Sequence, residues 1–104
     1  MAAIFSGKWE KGYWKTSADG PHMERVEIER DGSYFRDGKH VFNVRRIRID
    51  EEHNVVQFSL LRVSGKFHEE EYLAAGESGP LTNRGKFVGV CSHGHRMEYR
   101  RPGA

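Results

Sequence analysis

The chain has 104 residues and a mass of 12.0 kDa, which suits one domain with a single core and excludes a separate catalytic lobe. Its 17 basic and 15 acidic residues give a net charge of +2, a balance that does not point to a nucleic-acid or membrane partner. The mean hydropathy is low, at −0.77. An aromatic content of 12% nevertheless argues against disorder, and no apolar run approaches the roughly 18 residues of a membrane helix.

Alternation of apolar and polar residues with a period of two, broken by glycine-rich turns, runs along the whole chain. The pattern predicts eight strands, at Lys8–Thr16, Met23–Arg30, Ser33–Arg36, Val41–Asp50, Val55–Val63, Lys66–Ala75, Leu81–Cys91 and His95–Arg101. The alternative for the sixth segment is a short helix. Asp31-Gly32 and Asp37-Gly38 predict tight hairpin turns, and residues 102–104 are expected to be a tail.

Short turns at regular spacing make strands that are neighbours in sequence neighbours in space. We therefore expect an all-β fold, a small antiparallel up-and-down β-barrel of about eight strands, with residues 1–104 as a single domain. Closure of the sheet also removes the exposed edges that a small β protein must otherwise protect. A partly open barrel or a sandwich is the alternative.

Two predicted strands depart from simple alternation. In the fourth, the apolar residues change parity between Val44 and Ile47, which predicts a β-bulge or a sharp bend near Arg45-Arg46. In the fifth, both sides carry apolar residues. We favour the arrangement in which Gln57 and Ser59 face water; the alternative places them in a partly polar lumen.

The segment Phe5-Ser6-Gly7-Lys8-Trp9 opens the first strand with a Gly-x-Trp pattern, and Arg100 and Arg101 end the last strand. In an eight-stranded meander, this combination resembles the lipocalins and the other calycin-type β-barrels. The resemblance implies that Trp9 closes one end of the barrel, with Arg100 or Arg101 lying across its indole. Such stacking contributes about 0.5–2 kcal/mol.

The barrel prediction favours a non-catalytic protein that binds an apolar or amphipathic small molecule in its lumen, without a cofactor. Apolar side chains would supply affinity, and a few polar groups would orient the ligand. The residues expected to line the lumen or its core are Phe42, Phe58, Leu60, Tyr72, Phe87 and Tyr99. In the alternative arrangement of the fifth strand, Gln57 and Ser59 would be the polar contacts. We found no nucleophile elbow, phosphate-binding loop or dinucleotide fingerprint, so an enzyme is not expected.

A second hypothesis follows from the small diameter of an eight-stranded barrel, which side chains alone can fill. A filled barrel would act through its outer surface as a protein-interaction or inhibitory module, including as a homodimer. Exposed aromatic residues mark such surfaces, and the candidates are Tyr13, Trp14 and Tyr34.

A third hypothesis is a metal site at Cys91, His93 and His95, which alternate along the chain and would share one face of a straight strand. Gly94 predicts a turn that would separate them, so the first interpretation is two turn histidines and a buried cysteine. Cys91 is the only cysteine. A domain this small without a disulfide is typical of the cytoplasm, and the N-terminal segment does not have the pattern of a signal peptide.

Charged residues outside these patterns are expected to be solvated. Glu69 to Glu71 alternate between the two faces of a strand, and an inward Glu69 or Glu71 would need a partner such as Arg45. A basic face for nucleic acid is conceivable around Arg45-Arg46, but acidic residues interleave with the basic ones. Ion pairs between strands explain that pattern more simply.

Overall fold

The computed structural model describes residues 6–16, 18–50, 52–65, 68–75 and 85–103. They form eight strands, β1 Gly7–Trp14, β2 His22–Ile28, β3 Ser33–Arg36, β4 Lys39–Asp50, β5 Val55–Arg62, β6 His68–Ala75, β7 Lys86–Cys91 and β8 Arg96–Arg100. These ranges contain no helix long and apolar enough to cross a membrane.

Each strand pairs antiparallel with the next one in sequence, and β8 pairs with β1, so the sheet closes on itself. The prediction of a small up-and-down barrel is confirmed, and the open barrel and the sandwich are excluded. The sixth segment is a strand paired on both sides, so the helical alternative is wrong.

The ends of several strands differ from the prediction. β1 stops at Trp14, and β4 begins at Lys39, before the apolar pattern starts, because backbone pairing with β3 extends to the turn. The predicted loop at 76–80, the predicted strand start at 81–84 and residues 66–67 lie outside the described residues.

β4 contains the predicted bulge. Arg45 lies opposite Ser59, but Arg48 lies opposite Gln57, so β4 has one residue more than β5 between these two pairs. Arg46 lies within this bulge and has a φ of 53°, in the left-handed region. The change in parity seen in the sequence is therefore a change in which β4 side chains face the lumen.

The lumen is packed with hydrophobic side chains that are at most 1% exposed. They are Trp9, Ile28, Tyr34, Val56, Phe58, Leu60, Leu73, Phe87, Met97 and Tyr99. In β5, Val56, Phe58 and Leu60 face inward, as favoured. Ser59 lies on the other side of the strand but is only 6% exposed, so the expectation that it faces water is wrong.

Trp9 lies at the end of the barrel where β1 starts and β8 ends. Its ring meets Phe87 and Tyr99 edge-on, with ring centroids 5.7 and 6.0 Å apart. The guanidinium carbon of Arg101 lies 3.6 Å from the centre of the indole. Arg101, not Arg100, therefore covers Trp9, while Arg100 binds Glu98 at 2.7 Å on the outer face.

The backbone conformation and the close approach of Arg101 explain why the Gly-x-Trp pattern begins with glycine. Gly7 has a φ of +102°, and a Cβ built there would lie 2.8 Å from Nη1 of Arg101. The same guanidinium donates to the backbone oxygens of Lys8 and Ser6, at 3.0 and 2.9 Å. Gly7 thus leaves room for the side chain that ties the last strand to the first.

Candidate functional site

A cavity of about 700 Å³ lies at the barrel end opposite Trp9 and opens to solvent. We call it the mouth cavity. It is built where β1, β3 and β5 end and where β2, β4 and β6 begin. The strand residues that line it are Lys11, Tyr13, His22, Glu24, Arg36, Phe42, Leu60, Arg62 and Glu69. The barrel is therefore filled at one end and open at the other.

The mouth cavity has an apolar wall and a rim of mixed charge. Phe42 and Leu60, which are 5% and 1% exposed, form the wall. The guanidinium of Arg62 lies 5.2 Å from the centre of the Phe42 ring. Arg36 and Glu24 come within 3.9 Å of one another across the rim. Because both signs of charge occur, the rim by itself does not select a strongly charged ligand.

Lys11 lies at the floor of the mouth cavity, on the inward side of β1. Its Nζ is 2.8 Å from Oε1 of Glu71 and donates to the hydroxyl of Tyr34 at 3.2 Å. Lys11 is 6% exposed and Glu71 is 0% exposed. A buried ion pair of this kind persists only if hydrogen bonds satisfy the rest of both groups.

Two tyrosine hydroxyls provide the remaining hydrogen bonds of the ion pair. The hydroxyl of Tyr99 donates to Oε2 of Glu71 at 2.5 Å, and the hydroxyls of Tyr34 and Tyr99 lie 3.0 Å apart. Since Tyr99 gives its hydrogen to Glu71, Tyr34 must donate to Tyr99 and accept from Lys11. The four groups form a closed ring of hydrogen bonds, and no buried side-chain nitrogen or oxygen in the described ranges lacks a partner.

Burial and charge shift the pKa values of this ring. Burial alone lowers the pKa of Lys11, but the Glu71 carboxylate and the Tyr34 hydroxyl outweigh it and raise that pKa overall. Burial raises the pKa of Tyr34 to about 12. It also raises the pKa of Tyr99 well above its usual value, with the Glu71 charge adding to the effect. Lys11 therefore stays an ammonium ion, and both tyrosines stay neutral donors.

This ring corrects two expectations. Glu71 is not part of a solvated charge run, and its partner is Lys11 rather than Arg45. Arg45 is exposed on the outer face, where it donates to the backbone oxygen of Val44. Lys11 was missed as a functional residue. The sequence did indicate that Lys11 faces inward, because it alternates with Trp9 and Tyr13 on the same side of β1.

The predicted lumen residues divide into three groups. Phe42 and Leu60 line the mouth cavity. The packed core below it contains Phe58, Phe87 and Tyr99. Tyr72 was wrongly placed in the lumen: it lies opposite Gln57 on the outer face, where Tyr72 is 38% exposed. Gln57 faces outward, as in the favoured arrangement of β5. The hydroxyl of Tyr72 donates to Glu70 there, at 2.6 Å.

The three aromatic residues proposed for an outer interaction surface do not form one. Tyr34 is wholly buried, and its hydroxyl belongs to the closed ring of hydrogen bonds with Lys11, Glu71 and Tyr99. Tyr13 is half-buried and faces the mouth cavity. Trp14 is half-buried on the outer face, where its ring folds back over Gly12 and lies beneath the guanidinium of Arg96. The three residues therefore do not share one exposed patch, and only Trp14 lies on the outer face.

A second group of polar side chains lies at the mouth, beside the cavity. One ligand atom each from Glu69, Cys91 and His93 lies within 4.8 Å of the other two. His95 is not in this group, and its Nδ1 shares a hydrogen bond with the hydroxyl of Tyr13. Of the three residues that spacing suggested, the structure brings Cys91 and His93 together, with Glu69 and not His95 as the third polar neighbour.

Comparison with known proteins assigns no relative. The chain matches no protein-family model, and the comparisons with curated proteins and with solved structures found no match either.

Proposed function

We propose that this protein is a lipocalin-like barrel that binds an amphipathic small molecule in the mouth cavity. Binding rather than catalysis is proposed. The observation that carries the proposal is a nearly buried ammonium group, Lys11, at the floor of an open cavity of about 700 Å³. Such a volume suits a small organic ligand.

The polar end of the ligand is assigned by Lys11. An ammonium group has three hydrogens to donate, and two of them go to Tyr34 and Glu71 among the described residues. The third is available to an acceptor in the cavity that Lys11 lines. A carboxylate or carbonyl oxygen fits this position, since a hydrogen bond from a charged donor is stronger than a neutral one.

The apolar part of the ligand is assigned by Phe42, Leu60 and the ring of Tyr13, which supply the carbon surface of the cavity. The floor is polar and one wall is apolar, so an amphipathic molecule fits better than a wholly apolar one. The ring of hydrogen bonds holds Lys11 in place before any ligand arrives, which lowers the entropic cost of binding.

The test uses anilinonaphthalene sulfonate, a fluorescent amphipathic anion, as the probe. We expect its fluorescence to rise on binding. In a nitrogen–proton correlation spectrum, the amides of Lys11, Phe42 and Leu60 should shift, and those near Trp9 should not. Shifts confined to the outer face of the barrel, or none at all, would refute the proposal.

A paired variant tests the role of Lys11. Lys11→Met with Glu71→Gln removes both charges and keeps similar side-chain volumes. The amide oxygen of the glutamine can still accept the hydrogen bond that the Tyr99 hydroxyl donates. We expect it to weaken probe binding about tenfold or more, because a charge-assisted hydrogen bond contributes about 1.5–3 kcal/mol. The matched control is Lys86→Met with Glu98→Gln, an ion pair on the outer face, which should bind normally. Equal binding by the two variants would contradict the assignment.

A further inference from the structure

The group formed by Glu69, Cys91 and His93 is built by strand register and a tight turn. β6 and β7 place Glu71 opposite Cys91. Glu69 lies two residues earlier on the same face of β6, beside the turn that follows β7. In that turn the amide of Gly94 donates to the oxygen of Cys91 at 2.9 Å, and Gly94 has a φ of +80°. The turn carries His93 back toward Glu69 and Cys91.

These donors suit a particular class of ion. A thiolate and an imidazole select zinc and similar transition metals over magnesium and calcium, and a carboxylate is a common third ligand. Donor atoms around tetrahedral zinc are about 3.5 Å apart, given its bond lengths. The three donor atoms lie within 4.8 Å of one another, so side-chain rotations would have to bring them closer to reach that spacing.

We propose that Glu69, Cys91 and His93 bind a divalent transition-metal ion of the zinc class at the rim of the mouth cavity. Three protein ligands leave a fourth position for water. Glu69 also lines the cavity, so the ion would lie in its wall. The proposal does not depend on the small-molecule function, because it rests on donors other than Lys11 and requires no organic ligand.

His95 has a different role in this arrangement. Its Nδ1 bonds the hydroxyl of Tyr13, and its ring lies roughly parallel to that of His93, with the centroids 6.1 Å apart. Its ring is held by Tyr13, and it is not assigned as a ligand. This distinction separates the proposed set from Cys91, His93 and His95, the set that sequence spacing suggested.

The test is a titration of the reduced protein with Co²⁺, which reports ligands through its absorption spectrum. Cys91 is the only cysteine, so a sulfur-to-cobalt charge-transfer band at one equivalent identifies it directly. Displacement by Zn²⁺ should remove the band. Its absence at one equivalent would overturn the proposal.

Substitutions then identify the other ligands. Glu69→Gln and His93→Ala should each weaken Co²⁺ binding by at least the roughly 10- to 100-fold that is lost when a ligand's supporting partner is removed. His95→Ala should keep the band with a similar affinity. Loss of the band in His95→Ala, with Glu69→Gln unaffected, would overturn the assignment of Glu69.

The matched control is His53→Ala. His53 belongs to an exposed group with Asp50 and Glu52, far from the mouth in the turn after β4. If His53→Ala removes binding and His93→Ala does not, the ion binds adventitiously at the surface and the proposal fails. Zn²⁺ should also raise the melting temperature of the native protein, since a ligand of the folded state stabilises it. It should not raise that of His93→Ala.

Discussion

Lys11 and Glu71 have almost no contact with water, and two charges in that position are costly to desolvate. The hydrogen bonds around the pair offset this desolvation cost. Among the described residues, the two charges bond to each other, Lys11 donates to the hydroxyl of Tyr34, and Glu71 accepts from the hydroxyl of Tyr99. Lys11 also lies 5.0 Å from the centre of the Tyr99 ring, which adds a cation–π contact. At the scale of the residue, the site is an ion pair held between two tyrosines.

The pair should behave as a unit in stability measurements. Lys11→Met alone leaves the Glu71 charge buried beside apolar atoms, and we expect it to cost about 3–5 kcal/mol in the free energy of unfolding. Lys11→Met with Glu71→Gln should recover most of that loss, because no uncompensated charge remains. Urea denaturation of the two variants and the native protein checks this. A double variant no more stable than the single one would contradict it.

The same ring predicts how stability depends on pH. The folded state holds protons on Lys11, Tyr34 and Tyr99 that the unfolded chain releases at lower pH, since all three pKa values are raised. For Tyr34 the rise is from 10.0 to about 12. The stability from these groups is therefore fully present below about pH 10 and is lost as pH rises through the folded pKa values.

Urea denaturation between neutral pH and about pH 12 measures this loss. Tyr34→Phe should show a shallower decline, because it removes one of the three groups. A free energy of unfolding that stays constant to the end of that range would contradict the prediction. A similar slope in native protein and Tyr34→Phe would show that Tyr34 does not contribute.

At the scale of the element, the approach of β6 and β7 depends on Gly89. A Cβ built at this position would lie 1.8 Å from the backbone oxygen of Tyr72, closer than any real contact. The two strands must therefore move apart to accept a side chain. The same strands carry Glu69, Glu71 and Cys91, so their spacing also sets the positions of both polar groups at the mouth.

Gly89→Ala should accordingly destabilise the protein by about 1–3 kcal/mol, the usual cost of overpacking. Gly20→Ala is the matched control, since a Cβ at Gly20 meets nothing within 4 Å and its φ is not positive. That control should stay within about 0.5 kcal/mol of the native protein. The measurement is urea denaturation, in which the midpoints of the two variants are compared if their dependence of free energy on urea concentration is the same. Equal stability of the two variants would show that the strands adjust freely.

At the scale of the whole molecule, closure of the barrel joins the first strand to the last. β1 pairs with β8, and Arg101 fixes the join by covering Trp9. The closed end is apolar and filled, while the open end has an apolar wall, a buried ion pair at its floor and charged side chains at its rim. This asymmetry explains how a short eight-stranded barrel keeps a cavity, although its diameter alone would let side chains fill it.

Closure also predicts slow folding. Pairing of β1 with β8 requires contact between residues near the two ends of the chain, and all-β topologies of this kind fold in milliseconds to seconds. In Trp14→Phe, Trp9 is the only tryptophan, so its fluorescence reports closure. Stopped-flow refolding should give a single phase in that range. A change complete within microseconds would contradict the prediction.

Much of the fold was predictable from local patterns. Alternation and turn glycines predicted eight strands in the correct order. The parity change in β4 predicted the bulge at Arg46. These features depend on residues close in sequence, whose preferences are set by backbone sterics and burial. The candidate site was less predictable. Phe42 and Leu60 were named, but Tyr72 was placed on the wrong side of its strand.

The sequence by itself determined that the chain forms an antiparallel β-barrel, because period-two burial and turn chemistry are local. The position of Trp9 at the closed end was implied by the resemblance to calycin-type barrels. Only the tertiary structure decided that Lys11 meets Glu71 and that Glu69, rather than His95, joins Cys91 and His93. Lys11 and Glu71 are 60 positions apart. Such contacts depend on strand register and on which side chains share the lumen, and both are set only when the sheet closes.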